Sequence, residues 1–422
     1  MTEKAEISRN TDRGVHSTPS EVRVFLQHVM QVNLQAIKEG RPADKYVPCV
    51  WGPAGVAKTS VIKQLEKVGV TLADGTTVYP KVTHVALAQI EEAGDLTGLP
   101  VTSVDSHGAP ITTYARPVWW PTEEQTEGGT RPVILLIDDF NRADPRILKA
   151  IMQLLQDYRS NVHDLPSNCH IMLTGNPPSG DDGTEYMVNE IDKAILTRMI
   201  HISMKFDKVD WALWAKKHKV DERVINFVLT YPELVDGQKS TRTNPRSVEQ
   251  FARLIQPITN LRATKETESF VHTLACSCLD DSVAVAFEKF VFGEMQKLVD
   301  PEEILNNWES AEKKLDALKK KGVDGEEDAG DKKKTKLRTD IMGITIDRMY
   351  VYLMQDGLKL EEKNYKAFLC FIKRTDLVRQ DMMYALLRRL RRDAKTKDQQ
   401  RLITDMITFG GKEIADLIMQ IA

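Results

Sequence analysis

The chain has 422 residues, 41% hydrophobic and 28% charged, which is long enough for two or three structural units with a sizeable core. Its formal net charge of -3 excludes an overall basic footprint for nucleic acid and leaves room only for a local basic stripe. Five cysteines, Cys49, Cys169, Cys276, Cys278 and Cys370, are too few and odd in number for a disulfide framework and point to a reducing compartment. Cys276 and Cys278 have no second Cys or His pair at ligand spacing and read as small apolar helix residues.

The N-terminus is polar, without the apolar centre of a signal peptide, and residues 1–18 read as a disordered tail. No apolar run approaches a membrane span, so a cytoplasmic protein without membrane contact is expected. A helix is predicted from near Ser20, with Val22, Phe25, Leu26, Val29 and Ile37 on one face, ending at Gly40 and Pro42. Tyr46 to Trp51 reads as a strand running into a glycine-rich turn, and Thr59 to Val68 as the next helix. Further strands are predicted at Val82–Ala88, Val133–Ile137, His170–Thr174 and Met199–Met204, with a helix at Pro145–Leu155. Alternation of this kind implies a parallel sheet covered on both faces, the three-layer sandwich of an α/β P-loop fold. The stretches 71–80, 111–121 and 157–168 read as inserted hairpins or turns. This core is expected to span 19–206, followed by a helical segment 207–262 and an all-α region 263–422. The charged, Gly-containing stretch 319–336 reads as a flexible linker.

The chemistry concentrates in Gly52, Pro53, Ala54, Gly55, Val56, Ala57, Lys58 and Thr59, with Ser60 next in the helix. This matches the layout of a phosphate-binding loop between strand and helix. Gly52 and Gly55 let the backbone N–H groups converge on phosphate oxygens, and the helix beginning near Lys58 adds its positive end. Lys58 would reach the β- and γ-phosphates, and the Thr59 hydroxyl would ligate Mg²⁺. Ala57 stands where a second glycine is usual, so that position must tolerate a Cβ. A chance match in a strand–helix turn is the bland alternative.

Asp138 and Asp139 follow the apolar run 133–137, 80 residues after Lys58 (138 minus 58). Asp138 would hold Mg²⁺ through its water shell and Asp139 would orient the attacking water. A helix cap after a core strand is the alternative. Asp139 is one methylene shorter than the Glu usual there, which predicts slow or partner-dependent hydrolysis. Asn176, in Thr174-Gly-Asn176-Pro-Pro, follows the next strand and could bond the attacking water and the γ-phosphate. An Asn-Pro turn explains the same residues.

Taken together, Gly52–Thr59, Leu136-Ile-Asp-Asp-Phe-Asn-Arg-Ala143 and Thr174–Pro178 resemble the MoxR branch of AAA+ ATPases. Asp95-Leu-Thr-Gly98 and Tyr114-Ala-Arg-Pro-Val-Trp-Trp-Pro121 are similar to further stretches of that branch, and the resemblance covers residues 20–260. It implies an AAA+ core with 207–262 as its helical lid, and ATP with Mg²⁺ as cofactors. Asn176 would be sensor 1. Asp192 to Arg198 is similar to the box ending in the arginine finger, and Arg198 would reach a neighbouring subunit's nucleotide. A surface Arg198–Asp192 pair is the alternative. Asn244 to Glu249 resembles sensor 2, with Arg246 contacting the nucleotide in cis; a helix start is the alternative. Arg142 would act at the subunit interface.

A finger supplied in trans implies a ring homo-oligomer, a hexamer, remodelling a protein partner of the kind that carries a von Willebrand A-type domain. Two other readings stay open. Arg388, Arg389, Arg391 and Arg392 with Lys395 and Lys397 would suit a nucleic-acid motor, although such runs are more often a solvated helix face or a subunit contact. A site slowed by Asp139 would suit a nucleotide-dependent switch. Trp119 and Trp120 are expected to pack rather than grip a substrate.

Overall fold

A computed structural model describes residues 10–11, 13–128, 130–178, 187–189, 191–237, 242–317, 339–394 and 396–420. The stretch 319–336 and Lys395 lie outside these residues. The chain divides into two compact units. The first comprises Met1–Asp207 with Asp236–Ser240 and Asn244–Arg246; the second comprises Lys208–Val235, Thr241–Thr243 and Ser247–Ala422.

The strands are β1 (Asn10–Thr11), β2 (Gly14–Ser17), β3 (Pro48–Trp51), β4 (Val70–Thr71), β5 (Thr77–Val78), β6 (Lys81–Ala86), β7 (Pro100–Val104), β8 (Pro110–Tyr114), β9 (Val133–Asp138), β10 (Arg159–Ser160), β11 (His163–Asp164), β12 (Cys169–Gly175) and β13 (Ile200–Met204). Seven form one sheet in the order β1-β2-β13-β3-β12-β9-β6. All its pairings are parallel except β1 with β2. The predicted inserts at 71–80 and 157–168 are the small hairpins β4–β5 and β10–β11. The third hairpin, β7–β8, lies earlier than expected, over 100–114.

β3 and β12 are buried along their whole length and β9 along all but its last residue. Strands covered on both faces need apolar side chains at every position, which is why these read as unbroken apolar runs. Alternation sends Val133, Leu135 and Ile137 to one face, where they pack with Ile147, Ile151 and Leu154 of the helix Pro145–Asp157. It sends Ile134 and Leu136 to the other, where they meet Val22, Leu26 and Met30 of the helix Pro19–Lys38 and Val61, Ile62 and Leu65 of the helix Lys58–Val68. The unit is therefore the three-layer α/β P-loop fold expected from the sequence.

Of the stretch 1–18 read as a disordered tail, residues 1–9 and 12 lie outside the described residues, and residues 10–11 and 13–18 are ordered instead. Val15, His16 and Ser17 pair with Ile202, Ser203 and Met204, and Asn10 and Thr11 of β1 form the outermost strand beyond them. Gly14 has φ +90°, and a Cβ there would lie 2.2 Å from the His201 carbonyl oxygen, so only glycine lets the chain approach this closely. Thr18 then caps the first helix. Its hydroxyl accepts from the Glu21 N–H at 3.3 Å while the Glu21 carboxylate accepts from the Thr18 N–H at 2.8 Å.

His170, near the start of β12, is fully buried, with Nε2 3.3 Å from Asn168 Oδ1. Burial, reinforced by the Lys45 charge, pushes its pKa down to about 3, against about 6.5 when unfolded. The unfolded chain thus binds one more proton between these values, and stability falls as pH drops through that window. This group alone is expected to remove about 1.4 kcal/mol per pH unit there. Denaturant unfolding of the native chain and of His170→Leu at about pH 7.5 and about pH 5 checks it. Equal losses in the two proteins would refute the assignment.

The second unit is helical throughout its described residues. Its segment 208–235 and the helix Pro245–Ile255 do not form a unit apart from the C-terminal helices. Phe227 and Phe251 both pack edge-on against Phe287 of the helix Asp281–Lys289, with ring centroids 5.4 and 4.8 Å apart. Lys208 lies 2.8 Å from Asp347 of the helix Thr339–Leu353, which also takes Arg389 at 2.9 Å. No described helix is long and apolar enough to cross a membrane.

Candidate functional site

Three strand ends assemble the site. β12 lies between β3 and β9, so the residues leaving these strands at Gly52, Asn176 and Asp138 come side by side at one edge of the sheet. Ligands of open α/β sheets gather at the carboxyl ends of the strands.

The loop after β3 is shaped by its glycines. Gly52 donates to the Gly175 carbonyl at 3.3 Å, and a Cβ on it would lie 2.6 Å from the Met204 carbonyl oxygen. Gly55 has φ +83°, and its Cβ would come within 2.4 Å of Asn244 Oδ1. That Asn244 oxygen accepts the Arg246 N–H at 3.0 Å. Ala57 itself takes φ +75°, ψ +25°, a left-handed conformation that costs about 1–2 kcal/mol for a residue with a Cβ. The helix starts at Lys58 with no side-chain cap and no acidic residue in its first turn, leaving that end suited to an anion. Within the loop Val56 is buried, Pro53 half-buried and Ala54 exposed, and Ser60 is exposed on the helix.

Lys58 is only 6% exposed and spends all three protons inside the site. It donates to Gly52 O at 2.9 Å, Pro53 O at 2.8 Å and Asn176 Oδ1 at 2.9 Å. Burial lowers its pKa to about 8; Asp139 and Asp138 pull it upward while Arg142 and Arg246 press it down. Arg246 is thus electrostatically part of this site. A buried cation whose present acceptors are mostly neutral is poised for a polyanion, which would satisfy it better.

The carboxylate of Asp138 gathers hydroxyls. Thr59 donates to its Oδ1 at 2.8 Å, Thr174 donates to the same oxygen, and His84 Nε2 lies 3.0 Å from Oδ2. Burial pushes this carboxyl up, but the bonds from Thr174, Thr59 and His84 outweigh it and hold it below the usual range. Thr59 and Asp138 together form an oxygen-rich pair of the type that Mg²⁺ prefers.

Asp139 takes φ +48°, ψ +42°, a left-handed position that Asp tolerates better than most residues. Its N–H donates to Thr174 Oγ1 at 3.0 Å, and its Oδ1 accepts from Asn176 Nδ2 at 2.9 Å. The Asn176 amide therefore spans Lys58 and Asp139. Asn176 is in turn clamped by Asn141, whose Nδ2 donates to its carbonyl at 2.6 Å and whose Oδ1 accepts its N–H at 3.2 Å. Both asparagines are 1% exposed. Arg142, expected at a subunit interface, has Nε 3.9 Å from Asp139 Oδ2 of its own chain.

Arg198 stands apart from this cluster. It follows the short helix Lys193–Leu196, whose cap is Asp192, accepting the Ala194 N–H at 2.8 Å. Arg198 makes no ion pair with Asp192. Its Nε and Nη2 donate to Gln156 Oε1 at 3.1 and 2.8 Å, and Nη1 to the Ala194 carbonyl. Trp120 is 2% exposed in the core and Trp119 packs beside it, ring centroids 5.4 Å apart, so these indoles pack as expected. The C-terminal basic run is partly engaged internally. Arg389 pairs with Asp347 and lies over the Tyr350 ring, and Arg392 pairs with Asp393.

Thr174, His84, Asn141 and Gln156 escaped the sequence reading. Thr174 sat in a recognised motif, but nothing local signals that its hydroxyl serves Asp138. His84 left one faint trace, a polar ring in an otherwise strand-like run.

No known family profile matches the chain, and neither does any curated protein sequence. Among solved structures, the closed-state cryo-EM reconstruction of Hsp104 with ATPγS and FITC-casein aligns at 13% identity and a TM-score of 0.31. The alignment covers 64% of this chain and 45% of that one, a likeness too distant to carry an argument.

Proposed function

We propose that this chain is an AAA+ ATPase subunit that binds and hydrolyses Mg-ATP and becomes competent in a ring, a hexamer, of its own copies. One observation carries the reading: a hydrogen-bonded network, closed through the Thr174 hydroxyl, joins Lys58, Thr59, Asp138, Asp139 and Asn176, drawn from three separate sequence motifs. The glycine cradle and the buried lysine fit the phosphates of a nucleotide, and the Thr59–Asp138 pair fits its metal. Mg²⁺ held there would supply neutralisation of phosphate charge.

In this reading Lys58 turns from Gly52, Pro53 and Asn176 toward the phosphate oxygens. The Asn176 amide helps to hold a water in line, and the Asp139 carboxylate accepts the proton that water loses as it attacks. Arg246, at the start of the helix Pro245–Ile255, reports the nucleotide's state along that helix. Arg198 completes a neighbour's site. The sequence resemblance to MoxR-type members favours a protein partner with a von Willebrand A-type domain and a chaperone-like remodelling role.

Steady-state hydrolysis of Mg-ATP across protein concentrations tests this. Specific activity is expected to rise with concentration and then plateau as rings complete their sites. Tight ATP binding with no turnover at any concentration would overturn the ATPase reading in favour of a nucleotide-dependent switch.

A further inference from the structure

The acceptors around Arg198 are all neutral. Two of its N–H groups converge on one amide oxygen, Gln156 Oε1, and a third goes to the Ala194 carbonyl. Among the described residues no carboxylate pairs with it. Within the described residues the guanidinium is therefore held by neutral acceptors alone, although its fork fits a carboxylate better than an amide. The backbone below it is fixed. Ile195 and Met199, flanking residues of the same turn, are buried in the core, so only the side chain has freedom. Gln156 lies exposed on the last turn of the helix Pro145–Asp157.

We infer that Gln156 is the positioning residue for Arg198: it parks the guanidinium on a neutral acceptor, from which a neighbouring subunit's phosphates can draw it. This rests on the reading of Arg198 as a finger acting in trans. Exchanging a neutral amide for a polyanion is favourable because the new bonds are charge-assisted. A carboxylate at position 156 would remove that advantage. It would offer two oxygens to the fork and hold the charge in its own chain.

Gln156→Glu and Gln156→Met separate charge from shape. The test measures kcat for Mg-ATP on assembled full-length protein, with ATP affinity and oligomer size recorded alongside. For Gln156→Glu the expected result is a kcat lower by about tenfold or more with affinity and assembly unchanged. Gln156→Met, neutral and of similar length but without the accepting oxygen, is expected to lower kcat less, by about threefold to fivefold, because the guanidinium is no longer held ready. In rings mixed with Lys58→Ala subunits, Gln156→Glu chains are expected to turn over ATP at those of their sites that face a Lys58→Ala neighbour, which still supplies an Arg198 parked on the neutral Gln156. Native kcat in either variant, or equal losses in both, would overturn the role of Gln156 while leaving the finger untouched. Undiminished hydrolysis by Arg198→Ala would remove the finger reading and this inference together.

Discussion

Lys58→Ala is expected to abolish nucleotide binding, with affinity for Mg-ATP lower by at least about a hundredfold, while the fold survives. The lysine is buried, and its three donors hold Gly52, Pro53 and Asn176 around one point. The stability of the free chain should change little, because two effects oppose each other. The lowered pKa means that keeping the charge buried costs the folded state about 3 kcal/mol. Removing the side chain recovers that, but strands three acceptors, each worth about 1 kcal/mol when bonded. Calorimetric titration with a slowly hydrolysed ATP analogue, together with a thermal unfolding curve, reads both quantities. Near-native affinity in Lys58→Ala would contradict the phosphate-loop assignment.

The parts of this site legible in the sequence are those whose chemistry needs neighbours along the chain. A phosphate cradle requires consecutive backbone N–H groups, so Gly52 to Thr59 declare themselves. A carboxylate at a sheet edge requires an apolar strand before it, so Val133 to Ile137 announce Asp138. What remained hidden depends on strand order. Thr174 can serve Asp138 only because β12 lies beside β9, with Leu173 opposite Ile137. His84 reaches it only because β6 lies on the other side, with Ala86 opposite Asp138. Neither register is written in local periodicity. The β2 strand was missed for a different reason. Its four residues, Gly14 to Ser17, hold one aliphatic side chain and lie second from the margin of the sheet, beside the two-residue β1, where none of them is fully buried and no apolar run is demanded. Asp139 illustrates a third case. Its shorter side chain, read as a departure from Glu, occupies a left-handed backbone position that suits Asp, so an aspartate here has a conformational rationale.

Arg198→Ala should leave ATP affinity intact and lower kcat by about a thousandfold, the scale on which a trans arginine stabilises phosphoryl transfer. The geometry separates the two effects. Arg198 bonds Gln156 and Ala194 and touches none of Lys58, Asp138, Asp139 or Asn176 of its own chain, so its loss removes nothing from the site that binds nucleotide in cis. Mixing makes the prediction sharper. In a ring containing Lys58→Ala and Arg198→Ala subunits, some interfaces pair an intact Lys58 site with an intact Arg198 from the neighbour. Activity should reappear there, although each variant alone is inactive. Mass measurement of the assemblies establishes that mixed rings form. If they form and stay inactive, Arg198 does not act across the interface, and its guanidinium is better explained as a brace between Gln156 and the turn at Ala194.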